Sequence, residues 1–137
     1  MTISKLTILT LPALLFFGCS NTPKDAVDNM YNALQNGNVV KLANNVEESM
    51  SILLMAESIK VCSLNKNDYK DNQIKLTNYC LEEMYSGLDY KDVKTNKISE
   101  DKAYVEVTVI NKNKEDRVTF TVQKIDGKWM VSGRKRQ

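Results

Sequence analysis

The sequence predicts an α+β domain, with amino-terminal helices packed on a curved antiparallel sheet. Three observations carry this. Apolar residues recur at helical spacing from Ala26 to Leu88 and alternate with polar ones from Ala103 onwards. Asp126-Gly127, set between alternating runs, is the dipeptide of a two-residue β-hairpin. Helices first and strands last is the order of an α+β layout, unlike the alternation of βαβ units.

The elements follow in order. Thr22 can cap the first helix, Pro23 suits its first position, and Asp25 stands three places after the cap, near a capping box. Ala26, Val27, Met30, Tyr31, Ala33 and Leu34 then share one face, and Gly37 supplies the stop. Asn38 caps a short second helix with Val39, Leu42, Ala43 and Val46 inward. Residues 48–62, holding Met50, Leu53, Leu54, Met55, Ile59 and Val61, read as a third helix, and residues 64–72 as a polar loop. A fourth helix resumes at Gln73, its stripe formed by Ile74, Thr77, Cys80, Leu81, Met84 and Leu88.

After Gly87 the period changes. Residues 89–98 predict an irregular strand. Ala103, Val105, Val107 and Val109 face one way in the next, with Tyr104, Glu106, Thr108 and Ile110 opposite. Beyond a turn at 111–116, Val118, Phe120 and Val122 point inward. A two-residue loop pairs Ile125 with Lys128, Lys124 with Trp129 and Val122 with Val131. Trp129 and Val131 thereby join Phe120 and Val122 on the buried face.

Ahead of the domain, Lys5 precedes an apolar run over residues 6–18. As a helix it would be about 20 Å long at about 1.5 Å per residue, short of a hydrocarbon core of about 30 Å. A basic start, a run of this length and small residues at its end form the layout of an export signal. Phe16-Phe17-Gly18-Cys19 resembles the lipobox of bacterial lipoproteins, with Phe16 where that family commonly has Leu. The resemblance implies a lipoprotein signal peptide over 1–18 and a lipidated Cys19, with a short tether through 19–21. Each buried methylene of the acyl chains would add about 0.8 kcal/mol of membrane affinity. By the same resemblance, Ser20 in place of Asp implies the periplasmic face of the outer membrane in a Gram-negative host. Secretion with cleavage after Ser20 is the alternative, since Gly18-Cys19-Ser20 is also small-x-small. The single α+β domain is expected over 22–134, and a basic carboxy-terminal tail over 135–137.

The 137 residues carry 19 basic and 17 acidic side chains, a net charge of +2. No global field draws in nucleic acid. Histidine is absent, which removes the side chain that titrates nearest neutral pH. With no Cys-x-x-Cys pair either, no metal and no cofactor are expected. Once Cys19 is assigned to lipid, Cys62 and Cys80 remain as an even pair in an oxidising compartment, and a disulfide is the natural reading. Free thiols and a metal site are its rivals. The bridge would staple the third and fourth helices across the polar loop and contribute about 3 kcal/mol in the chain-entropy model.

Residues 22–46 (TPKDAVDNMYNALQNGNVVKLANNV), with AYVEVTVI and VTFTVQKIDGKWMVSG, resemble the small bacterial lipoproteins of the nuclear-transport-factor-2-like (cystatin-like) superfamily. The match covers 22–46 and 100–133, while the middle, with both cysteines, looks longer and more helical. The resemblance implies a cone-shaped sheet wrapped around a long helix, leaving a cavity. Enzymes of that superfamily commonly place Asp, His and Tyr inside the cone. Here the acids lie in polar runs or near turns, and Ser49, Ser51 and Ser58 have no His partner. No catalysis is expected.

The expected function is therefore a lipid-anchored bacterial envelope protein, non-catalytic, that binds a protein or envelope component. A small-ligand carrier or vestigial enzyme using the cavity is one alternative. An immunity-type inhibitor of a periplasmic toxin is another. Met30, Tyr31, Leu34, Phe120 and Trp129, with Val131, are the candidates for lining the cavity, and the same stripe also reads as core. Tyr69, Tyr79, Tyr85 and Tyr90 gather around the cysteine-bearing helix, as interface or as structure. The terminal GRKRQ reads as a solvated tail or as a contact for anionic head groups. An open cavity would favour a carrier, and a packed interior a surface-binding protein. A buried carboxylate with a shifted pKa would favour an enzyme.

Overall fold

The computed structural model describes residues 21–136; the expected signal segment 1–18, Cys19 and Gln137 lie outside them. Thr22 opens α1 (Pro23–Gln35) with the expected capping box. Its hydroxyl accepts from the Asp25 N–H at 3.1 Å, and the Asp25 carboxylate accepts from the Thr22 N–H at 3.0 Å. Two backbone donors left over by the helix start are satisfied this way. Gly37 closes the helix at φ 61°, and the Asn38 N–H returns to the Ala33 carbonyl at 2.9 Å. The Asn38 side chain then caps α2 (Val39–Asn45).

α2 buries Leu42, with Val46 just after it, but leaves Ala43 exposed. Asn45 turns inward instead, because its amide can donate to the Lys41 carbonyl at 2.8 Å. α3 (Glu48–Lys60) buries Met50 and Leu54 while Ile52 and Leu53 face out. The polar loop carries a 3-10 turn over Lys66–Tyr69. α4 (Gln73–Tyr85), capped by Asn72, is rotated from its expected stripe. Leu76, Thr77, Cys80 and Leu81 are buried, whereas Ile74 and Met84 are exposed. Cys62 and Cys80 are bonded, with Cα atoms 5.3 Å apart, and tie the end of α3 to the middle of α4.

Four strands form one open antiparallel meander in the order β1-β2-β3-β4. They are β1 (Asp89–Lys97), β2 (Lys102–Asn111), β3 (Lys114–Ile125) and β4 (Lys128–Arg136). The hairpin pairs Ile125 with Lys128, Lys124 with Trp129 and Val122 with Val131, as the two-residue loop requires. α1 crosses the inner face against all four strands, and the core lies between them: Val27, Met30 and Leu34 against Val105, Phe120, Val122 and Val131. This is an α+β fold. Among the described residues no helix is long and apolar enough to cross a membrane.

Two irregularities shape the sheet. Between Lys91 and Lys94 β1 slips register, with Asp92 at φ 54°. In β4, Val131 and Gly133 oppose the adjacent Val122 and Thr121, so Ser132 is an extra residue. From there Arg134 sits opposite Phe120 and Arg136 opposite Val118. The expected basic tail over 135–137 is thus corrected: Lys135 and Arg136 are strand residues, because the ladder with Thr119 and Val118 continues past the bulge.

Both borders of the sheet are guarded. On β4, the Asn21 side-chain amide brackets Trp129, accepting from its N–H at 3.0 Å and donating to its carbonyl at 2.9 Å. Two residues on, the Val131 carbonyl accepts from the Glu47 N–H at 2.8 Å, beside a parallel bridge from Val46. β1, at the other border, carries exposed Lys91, Lys94 and Lys97 next to its bulge, features that discourage strand addition.

Candidate functional site

The inner face of the sheet, α1, α3 and the end of α4 leave a cavity of about 410 Å³ between them. Its floor is apolar. Met30 and Leu34 descend from α1, Leu54 from α3, and Phe120 from β3. The helical spacing of Met30 and Leu34 puts both on one turn-to-turn stripe, and the β3 alternation aims Phe120 at it. Of the expected cavity residues, Met30, Tyr31, Leu34 and Phe120 are brought together here. Trp129 and Val131 are not: they are buried at the hairpin end of the sheet, in the packed part of the core.

An aromatic group forms one wall. Tyr31 stacks on Tyr90 with ring centroids 4.6 Å apart and meets the Phe120 ring edge-on at 5.8 Å. The Tyr90 hydroxyl donates to Asp28 at 3.0 Å. Burial raises the pKa of Tyr31 and Tyr85 above the phenol value, partly opposed by Arg134 and Arg136 nearby. Tyr90 is pushed up to about 12 by burial, then by the Asp28 carboxylate that accepts its proton. A phenol whose pKa is raised on folding contributes stability that is intact below about pH 10. That contribution is lost as the pH climbs through the folded-state value, about 12 for Tyr90. Alkaline titration followed by near-ultraviolet absorbance should show a step near that pH which Tyr90→Phe removes. A profile unchanged by the substitution would contradict the Tyr90–Asp28 arrangement.

The mouth, the part of the lining that includes Asn111 and Asp116 beside the β2–β3 turn, is charged. Arg134 reaches it from β4 and donates through Nη2 to both carboxylate oxygens of Glu57 on α3, at 3.0 and 3.2 Å. Arg136 and Lys60 also line it, as does Asp116. Sequence reading gave both arginines to the terminal GRKRQ, as a solvated tail or a head-group contact, and did not place them in the cavity. A strict two-residue alternation from Val131 would aim Gly133 and Lys135 inward, and the extra Ser132 reverses that parity.

The other tyrosines part company. Tyr85 lines the cavity and Tyr90 meets it only through Tyr31, whereas Tyr69 and Tyr79 flank a small cleft beside Gly37, with Lys75 over the Tyr69 ring at 5.7 Å. A shallower groove of about 610 Å³ lies on the other side of α3, against the β3–β4 hairpin.

Comparison with known proteins adds a family and little else. No curated protein matches the chain. Among solved structures it is similar to a de novo designed protein with a curved β-sheet. The two are 17% identical, the match covers 66% of this chain and 99% of that one, and the TM-score is 0.35. Residues 17–132 match the profile of one family, described as a domain of unknown function (DUF4878).

Proposed function

The chain belongs to the DUF4878 family, a domain of unknown function, and we propose, from its cavity and from its lipobox-like sequence, a lipid-anchored envelope protein that binds a small ligand without transforming it. One observation carries this reading: the apolar cavity of about 410 Å³, within the roughly 300–1,000 Å³ range of ligand pockets. A filled interior would have favoured the docking of a macromolecule on the outer surface. The two carboxylates that reach the cavity, Glu57 and Asp116, stand at its charged mouth, and Glu57 is engaged by Arg134. Neither is placed in the apolar floor, where desolvation would make a proton-transfer group of it.

Two further points belong to the proposal. A long helix against the inner face of an antiparallel sheet supports membership of the nuclear-transport-factor-2-like superfamily. The lipobox-like Phe16-Phe17-Gly18-Cys19 supports anchoring through Cys19, and Ser20 the periplasmic face of an outer membrane. Asn21 already clasps Trp129, so the anchor would sit within a few residues of the globule.

Each half has its test. The neutral fluorophore N-phenylnaphthylamine should bind the purified protein at a single site per chain. Val109→Phe, which grows a ring from the half-buried inner face of β2 into the cavity, should abolish that binding with the fold intact by circular dichroism. Undiminished binding to the variant would refute the cavity as the site. Cys19→Ser should move the protein from membranes to the soluble fraction; a variant that still floats with lipid would refute the anchor.

A further inference from the structure

Resting on the cavity reading above, we propose that the ligand is a single-chain amphiphile with an anionic head, a carboxylate or a phosphate monoester. Its tail lies on the floor formed by Met30, Leu34, Leu54 and Phe120, and its head is held at the mouth by Arg136 and Lys60.

The cavity is polar at one end only. Its floor residues are buried hydrocarbon and ring, whereas three cations gather at the mouth: Lys60 from the last turn of α3, and Arg134 and Arg136 from β4. Two acids oppose them. Glu57 is taken up by Arg134, and Asp116 offsets one of the remaining charges. Among the described residues the side chains of Arg136 and Lys60 make no hydrogen bond or ion pair with the protein, so their charged groups are open to a ligand. A guanidinium presents paired N–H groups that match the two oxygens of a carboxylate or phosphate. Deeper in, the Tyr31 hydroxyl also has no hydrogen-bond partner among the described residues, although the residue is only 4% exposed. Among the described residues no fully buried side-chain oxygen or nitrogen lacks a partner, so this hydroxyl is open to the cavity and free to meet a polar group of the ligand.

Asn21 is fixed at Trp129, and the mouth is reached at Arg136, farther along the same strand. The separation is roughly 20 Å at about 3.3 Å per residue. The charged end of the cavity is therefore well separated from the start of the domain.

The test compares probes that share a tail: laurate, dodecyl phosphate, dodecanol and dodecyltrimethylammonium, each titrated calorimetrically into the purified protein. Laurate or dodecyl phosphate, or both, should bind roughly tenfold or more tightly than the neutral and cationic probes, a preference that shrinks as salt is raised. Whichever of the two binds more tightly identifies the head. Arg136→Glu, at an exposed position, and Lys60→Glu should each erase the preference by weakening the anionic probes more than dodecanol. Equal affinity for all four probes, or a preference that survives both reversals, would overturn the anionic head and leave the cavity reading standing. Failure of every probe, dodecanol and N-phenylnaphthylamine included, would remove the cavity reading as well.

Discussion

Gly37→Ala is expected to destabilise the fold by about 2–4 kcal/mol, through two separate penalties. The backbone there lies at φ 61°, a left-handed conformation that a Cβ disfavours. Independently, the added Cβ would stand 2.3 Å from the Asn78 carbonyl oxygen and 3.1 Å from the Glu82 Cβ, both on α4. A backbone oxygen cannot swing aside as a side chain can, so α4 or the α1–α2 turn must shift. The same Asn78 accepts from the Val39 N–H at 2.9 Å, so that shift also loosens the start of α2. Gly127→Ala is the control: its φ is 81°, yet nothing lies within 4 Å of the new Cβ. Urea denaturation should show Gly127→Ala losing only the conformational share, about 1 kcal/mol. Equal losses at the two positions would mean that the approach to Asn78 is not what position 37 requires.

Removing the Cys62–Cys80 bridge by the double Cys→Ser substitution is expected to lower stability by about 3 kcal/mol, the chain-entropy value for a loop of this length. The bridge closes a segment with a sequence separation of 18, mostly polar and exposed, with little burial of its own to hold it. Hydrogen exchange should therefore quicken first between α3 and α4, before the sheet is affected. Lys60, Val61 and Met84 stand beside the bridge and also line the cavity, so the affinity for N-phenylnaphthylamine should fall in the same variant. Alkylation of the unreduced protein that labelled both cysteines in full would contradict the bond, and with it this expectation.

Much of the architecture was legible because short-range chemistry agreed with long-range packing. Thr22 and Asp25 form the capping box that their spacing suggests, and Asp126-Gly127 sets a register in which Val122 meets Val131. The inward positions of α1, Ala26, Val27, Met30, Tyr31, Ala33 and Leu34, were marked by period alone, and all are buried. Legibility failed where a single residue breaks a period. On α4, Ile74 outranks Leu76 in hydropathy, but the cap at Asn72 and the bond at Cys80 fix the rotation of the helix, and Leu76 is the residue buried. On β4 the extra Ser132 turns Arg134 and Arg136 toward the cavity and leaves Lys135 outside. No local signal announces that bulge, and the charged half of the candidate site depends on it. The floor could be named from the sequence, whereas the mouth could not.

Under the proposed anchoring through Cys19, the treatment of the two outermost strands has a consequence for life on a surface. Molecules confined to a plane meet their own copies far more often than they would in free solution, and exposed sheet borders would then zip into ribbons. Here one border is occupied by Asn21 and Glu47 from the same chain, and the other is kinked and lined with lysine. On that proposal neighbours should jostle without polymerising, and a dense anchored layer would stay a population of single molecules.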